Sequence, residues 1–166
     1  MSAPAGPASR AKGDTAMTET PTDAPTDPEA LDFARSVLAA QPFSRLVGAR
    51  ITEFGGGRAT LEVDVRDELR QQNGYLHGGV LAYAADNAIT FAAGSTLGSA
   101  VLTGGVSVQY LRPALGAVLR AEARIVHSGR RQAVCDCDLI MSATDGSETV
   151  CAIGRGTVLV VDGTAD

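Results

Sequence analysis

Apolar positions fall into two regimes along this chain. From Val80 to Ala93 they crowd into a nearly continuous run, broken chiefly by the carboxylate of Asp86 and the amide of Asn87. Elsewhere they alternate with polar residues at period two. Ala59, Leu61, Val63 and Val65 alternate with Thr60, Glu62 and Asp64, while Val106, Val108 and Tyr110 alternate with Ser107 and Gln109. Leu119, Ala121, Ala123 and Ile125 repeat the pattern, as do Cys135, Cys137, Leu139 and Met141 within Gln132–Met141. Each alternating stretch predicts a half-buried strand, and the continuous run predicts a buried helix ending near Gly94 or Gly98.

Turn signals join these strands. Gly55-Gly56-Gly57 links Arg50–Phe54 to Arg58–Val65, Ser128-Gly129 precedes the Gln132 strand, and Asp145-Gly146 leads into a last strand over Thr149–Val160. Asp27-Pro28-Glu29 has the make-up of a helix start, with Leu31, Ala34, Val37 and Leu38 on one face and Gln41-Pro42 as its stop. Phe43 to Gly48 is expected to be an irregular connector with Leu46 and Val47 turned inward. Strands joined by short turns imply an antiparallel sheet, and a helix apolar on most sides needs burying. The prediction is an α+β fold, a curved antiparallel sheet wrapped around one central helix. Any helix face left bare would require a partner.

Residues 1–27 are of different material. Pro4, Pro7, Pro21 and Pro25 are mixed with Ala, Thr, Ser and Asp, a composition too poor in apolar surface to offset ordering entropy. A disordered tail over 1–27 and a single domain over 28–162 are expected. With 45% hydrophobic and 20% charged residues that domain is ordinary globular material. A net charge of −5 leaves no basic face to displace counterions, which argues against nucleic acid. The first residues lack the apolar core of a secretory signal, and Val80–Ala93 is too short to span a membrane. Three cysteines make no disulfide framework, and Cys135 and Cys137 have no second ligand pair at metal spacing. No metal is expected, and a reducing, cytoplasmic setting suits the thiols.

The chemistry concentrates where the polar loop Gln71–His77 meets the glycines Gly78 and Gly79. Glycines let another backbone approach, and the first N–H groups of a helix lack intrahelical partners. With the helix dipole behind them, those donors attract an oxygen that carries negative charge. Asp86 follows inside the apolar run, where an ionised group is costly without a role. Eight residues separate Gly78 from Asp86, about 12 Å along a helix axis. If both act on one substrate atom, the acid must come from a second copy laid antiparallel to the first.

The string Gln71-x-x-Gly74-x-x-His77-Gly78-Gly79-Val80 followed by Asp86-x-Ala88 resembles the hotdog-fold acyl-CoA thioesterases of the phenylacetic-acid-pathway (PaaI) type. Thr103, Tyr110-Leu111-Arg112-Pro113-Ala114 and Ala152-x-Gly154-x-Gly156-Thr157 extend the likeness over about Phe43 to Val161. The resemblance implies hydrolysis of an acyl-CoA thioester to free acid and CoA, with no cofactor beyond the CoA of the substrate. It implies Asp86 as base or nucleophile, the Gly78 N–H as oxyanion donor, and a homodimer or a dimer of dimers. Gln71 matches a hydrogen-bonding position near the thioester, with Gln72 or Asn73 able to take its place after a small shift of the loop. Thr103 matches a hydroxyl position beside the carboxylate, and Gly79 belongs to the glycine pair that approaches substrate. His77 reads as a positioning group in the same machinery. Arg112, Arg130 and Arg131 are the candidates for CoA phosphates, since guanidinium groups suit phosphate oxygens. Two other readings exist on the same fold, a non-catalytic acyl-CoA-binding module and an enoyl-CoA hydratase. The retained Asp86 disfavours the first, and the placing of His77 and His127 disfavours the second. Aryl, arylacetyl and medium-chain fatty acyl groups all remain open as substrates.

Overall fold

A computed structural model describes residues 27–161, so the tail expected over residues 1–27 lies outside the described residues except for Asp27. That residue caps the first helix: its Oδ1 accepts the Glu29 N–H at 3.1 Å. The elements run α1 (Pro28–Ala40), α2 (Pro42–Val47), β1 (Ala49–Gly55), β2 (Arg58–Asp64), a 3-10 turn (Asp67–Leu69), α3 (Gly78–Leu97), β3 (Val101–Tyr110), β4 (Val118–Ser128), β5 (Gln132–Ser142) and β6 (Glu148–Val160). The six strands form one antiparallel sheet in the order β1-β2-β4-β5-β6-β3. Between β2 and β3 the chain must cross nearly the whole sheet, and α3 makes that crossing. Its 20 residues span about 30 Å, and it contacts all six strands.

Close approach explains why this helix can lie at the centre. Its buried face is built from small side chains, among them Ala84, Ala85, Ala88 and Ala92. Opposite them β6 presents Gly154 and Gly156. A Cβ at Gly154 would stand 3.3 Å from the Ala85 Cβ, and one at Gly156 would stand 2.9 Å from the Gly105 carbonyl oxygen. The alternating residues of β2, β4 and β5 fill the rest of the core, with Leu61, Val63, Leu119, Leu139 and Met141 fully buried. Cys135 and Cys137 belong to this layer. Burial pushes their thiols up, to about 11 and about 12, so both pack as protonated, small apolar groups.

Two expectations are corrected. The segment after Gln41 is a helix, α2, rather than an irregular connector. Pro42 ends α1 but sits at the first turn of the next helix, where its missing N–H costs nothing, and Gly48 closes α2 in the left-handed region at φ 80°. Leu46 points outward, 68% exposed, while Val47 is buried. Val37 stands at the margin of the apolar face of α1, which buries Ala34 and Leu38.

The convex face of the sheet carries a ladder of opposite charges. Arg50 donates to Asp64 (2.8 Å) and Glu62 (2.9 Å), Arg120 to Glu148 and Glu122 (each 2.6 Å at the closest), and Arg155 to Asp136 (2.6 and 2.9 Å). The Arg155 guanidinium holds the Asp136 carboxyl below its usual value. A depressed folded-state pKa gives stability that is present above the unfolded value and is lost as pH falls through the folded one. Because Arg155 is mostly exposed, solvent screens the pair and its contribution to stability is small. The melting temperature of Arg155→Gln should therefore lie slightly below that of wild type near neutral pH, and the two should converge below the range of carboxylate titration.

Candidate active site

The first turn of α3 can be accounted for donor by donor. His77 is the N-cap, and its imidazole Nδ1 accepts the Gly79 N–H at 2.9 Å. The His77 carbonyl accepts from Val80 (2.9 Å) and Leu81 (3.4 Å). The Gly78 N–H, at the first helical position, has no acceptor within the helix and none of the bonds formed by its neighbours. On its other side the Gly78 carbonyl accepts the Tyr110 hydroxyl at 2.9 Å. The peptide between Gly78 and Gly79 is thus held at both ends, which fixes the direction of the free N–H beside it. Among the described residues, Gly78 has the open donor of the glycine pair and Gly79 does not.

The loop before the helix is closed just as tightly. Gln71 N–H donates to the Tyr75 carbonyl (2.9 Å), Gly74 N–H to the Gln71 carbonyl (2.9 Å), and Arg70 Nη1 to the Gly74 carbonyl (2.7 Å). This turn brings Gln71 to the wall of a cavity of about 340 Å³ that it shares with Gly78, Leu81, Tyr110 and Arg112. Asn73 is exposed at the tip of the turn and lines neither this cavity nor the larger one.

Asp86 stands more than two helical turns further on, half-buried, in a different cavity of about 550 Å³. Its Oδ1 accepts the Thr103 hydroxyl at 2.7 Å. Thr103 has only one hydroxyl hydrogen, so in its 2.8 Å contact with the Thr90 hydroxyl it is the acceptor. The Thr90 hydrogen is in turn shared between Thr103 and the Asp86 backbone carbonyl, 2.9 Å away. Two threonines, one on α3 and one on β3, therefore set the rotamer of the carboxylate, and no other group among the described residues claims its second oxygen. Thr103→Val removes one hydrogen bond to a charged group, worth about 1.5 kcal/mol. The expected result is a melting temperature lower by a few degrees, with a roughly ten-fold loss in any turnover that depends on Asp86, read from a thermal melt alongside steady-state kinetics.

The three arginines divide between the two ends of α3. Arg112 follows β3 and lines the Gly78 cavity. Arg130 and Arg131 form the β4–β5 turn, where the Arg131 carbonyl accepts the Val160 N–H at 2.9 Å. That turn lies beyond the row Thr103–Val158–Ala133 of the sheet, and so at the Asp86 end.

The chain is similar to proteins of known kind. A solved thioesterase family protein from Silicibacter pomeroyi is 31% identical; the match covers 78% of this chain and 96% of that one, with a TM-score of 0.72. The thioesterase superfamily profile matches residues 73–145, from the Gly78 loop through α3 to β5. This chain belongs to the thioesterase superfamily. Its sheet and central helix are the hotdog fold of that superfamily, as the resemblance implied. The PaaI protein of Escherichia coli, at 22% identity over 82% of this chain and 96% of its own with a TM-score of 0.68, shares that fold. Among curated relatives, a 1,4-dihydroxy-2-naphthoyl-CoA hydrolase of Listeria monocytogenes is 26% identical over 116 residues, 69% of this chain and 91% of that protein.

Within this thioesterase-superfamily chain, the sequence pattern did not single out Thr90, the clamp from Tyr110, or the contribution of α1 to the larger cavity. Thr90 was within reach of the pattern, because it lies four residues after Asp86 on one helix face. Tyr110 and α1 meet α3 only through tertiary packing.

Proposed function

We propose that the protein hydrolyses an acyl-CoA thioester to a carboxylate and CoA, at a site shared by two copies of the chain. One observation carries this reading: the aligned carboxylate of Asp86 and the free N–H of Gly78 belong to two separate cavities on one helix. An antiparallel second copy sets the Asp86 end of one α3 against the Gly78 end of the other. Asp86 then takes a proton from a water that attacks the thioester carbonyl carbon, or attacks that carbon itself to form a mixed anhydride that a water hydrolyses once CoA has left. The carbonyl oxygen becomes an oxyanion held by the partner's Gly78 N–H, the C–S bond breaks, and the CoA thiolate leaves and is protonated.

The edge of the sheet supports the pairing. β3 is ten residues long, has a neighbour on one side only, and carries exposed Leu102, Val106 and Tyr110. A long apolar edge strand is a ready surface for a second chain. The same pairing brings Arg112 of one copy towards Arg130 and Arg131 of the other, where CoA phosphates are expected to lie. Free cysteines at 135, 137 and 151 suit a reducing, cytoplasmic compartment.

The test is thiol release from a panel of acyl-CoAs, run with size-exclusion chromatography on the same sample. Turnover from a dimer or tetramer is expected. A strictly monomeric species that retains full activity would remove the shared site.

A further inference from the structure

We infer that Tyr110 is a positioning residue for the oxyanion donor, and that strand β3 aligns both halves of the reaction centre, the carboxylate through Thr103 and the Gly78 turn through Tyr110. This rests on the hydrolase reading above and adds to it a residue and the strand that places it.

Thr103 and Tyr110 are seven positions apart on β3. In a regular strand an odd interval puts two side chains on opposite faces of the sheet. Here both reach α3: the Thr103 hydroxyl donates to Asp86 at 2.7 Å, and the Tyr110 hydroxyl donates to the Gly78 carbonyl at 2.9 Å. The register against β6 explains how. Thr103 pairs with Val158, Val106 with Gly156 and Tyr110 with Ala152. Val158 and Ala152 are fully buried, and a Cβ at Gly156 would lie 3.2 Å from the Ile89 side chain of α3. Residues directly opposite one another share a face, so Thr103, Val106 and Tyr110 all look towards the helix.

Along β6 the step from Val158 to Gly156 is two residues, whereas along β3 the step from Thr103 to Val106 is three. The extra residue is Gly104, in a bulge between Thr103 and Gly105. Bulges of this kind re-aim a side chain beside a site. A Cβ at Gly104 would stand 3.0 Å from the Leu159 Cδ1, a place that suits a residue without one. The bulge turns an odd interval into a shared face, and one strand thereby holds the carboxylate at one end and the oxyanion turn at the other.

Tandem glycines are the least constrained pair a backbone can carry. Two side chains hold the peptide between Gly78 and Gly79: His77 Nδ1 on its N–H and the Tyr110 hydroxyl on its carbonyl. His77 belongs to the same turn and moves with it. Tyr110 belongs to the sheet and ties that turn to it. A donor aimed before negative charge develops owes its effect to that preorganisation, so the Tyr110 bond counts in the transition state rather than in substrate binding.

The experiment compares wild type with Tyr110→Phe, which keeps the ring beside Gly78 and removes one hydroxyl. The readouts are steady-state hydrolysis of octanoyl-CoA and phenylacetyl-CoA, and hydrogen exchange of the Gly79 amide followed by NMR on ¹⁵N-glycine-labelled protein. Loss of one neutral hydrogen bond is expected to lower kcat about five-fold with KM unchanged, and to speed Gly79 exchange about five-fold. Combined with Thr103→Val, the losses in kcat should multiply, because each hydroxyl holds a different group. Unaltered kcat and exchange in Tyr110→Phe would overturn the inference. So would a loss confined to KM, which would make Tyr110 a wall of the cavity, or a double variant no slower than the slower single one. A wild type that hydrolyses neither thioester, while Tyr110→Phe still frees the Gly79 amide, would keep the clamp from β3 and remove the hydrolase.

Discussion

Replacing Asp86 by Asn is expected to abolish thioester hydrolysis, lowering kcat by about 10³-fold or more, at the upper range for loss of a positioned acid–base group. The substitution isolates charge from shape. Asparagine has the same outline as aspartate, and its Oδ1 can still accept the Thr103 hydroxyl that now lies at 2.7 Å. The helix, the cavity and the rotamer persist, and only the ability to take a proton or to attack carbon disappears. Stability should hold, because a half-buried charge is being replaced by a neutral amide. Asp86→Glu is the informative companion. It keeps the charge but moves it by one methylene, and a misplacement of about 1 Å is expected to cost about 10²-fold. A single turnover in ¹⁸O-labelled water separates the two chemical routes. Label incorporated into the Asp86 carboxylate marks it as the nucleophile, and with label only in the released acid, capture of an acyl-Asp86 anhydride by hydroxylamine decides between nucleophile and base. Wild-type rates in the Asn protein would leave Asp86 a structural residue.

How much of this was legible beforehand depended on how local the cause was. The period-two runs around Leu61, Leu119 and Leu139 specified their strands because strand burial repeats every second residue. The run from Val80 specified α3 because its covering comes from every side. Asp86 stood out for the same reason, as a charge in material that excludes charge. Pro42 misled because proline both ends one helix and begins another, and only the left-handed Gly48 beyond it distinguishes the cases. The exposure of β3 could not be read from its alternation at all. Val106 and Tyr110 face the helix side of the sheet yet remain open, since β3 takes the edge position beside β6. Sheet order is set by which strands the crossover helix connects, and no single strand carries that information. The pairing of Tyr110 with Gly78, 32 residues apart in sequence, is hidden in the same way.

Gly78→Pro is expected to lower kcat by about 10²–10³-fold, the usual cost of one oxyanion donor, while leaving the fold in place. Proline is normally a harsh substitution in a helix, but position 78 is the first helical residue, where proline is favoured and the N–H has no intrahelical bond to lose. The residue before a proline must be extended, and His77 already is, at φ −65° and ψ 134°. An added Cβ meets the Tyr110 ring and hydroxyl at 3.4 Å, close to ordinary contact. The change therefore replaces the N–H by a ring methylene on the same nitrogen, which removes the donor and crowds the place of the oxygen while leaving the helix intact, as a melt should verify. Co-expression with Asp86→Asn then decides where the two halves of the site come from. In a mixed dimer one site receives both lesions, and the other combines an intact Asp86 from the proline chain with an intact Gly78 from the asparagine chain. Equal expression makes half the dimers mixed, so about a quarter of wild-type activity should return from two nearly inactive proteins. If each chain supplied both groups to its own site, every site in the mixture would carry one lesion and nothing would be restored. If the Gly78 N–H plays no part, the proline variant alone will hydrolyse thioesters at close to the wild-type rate.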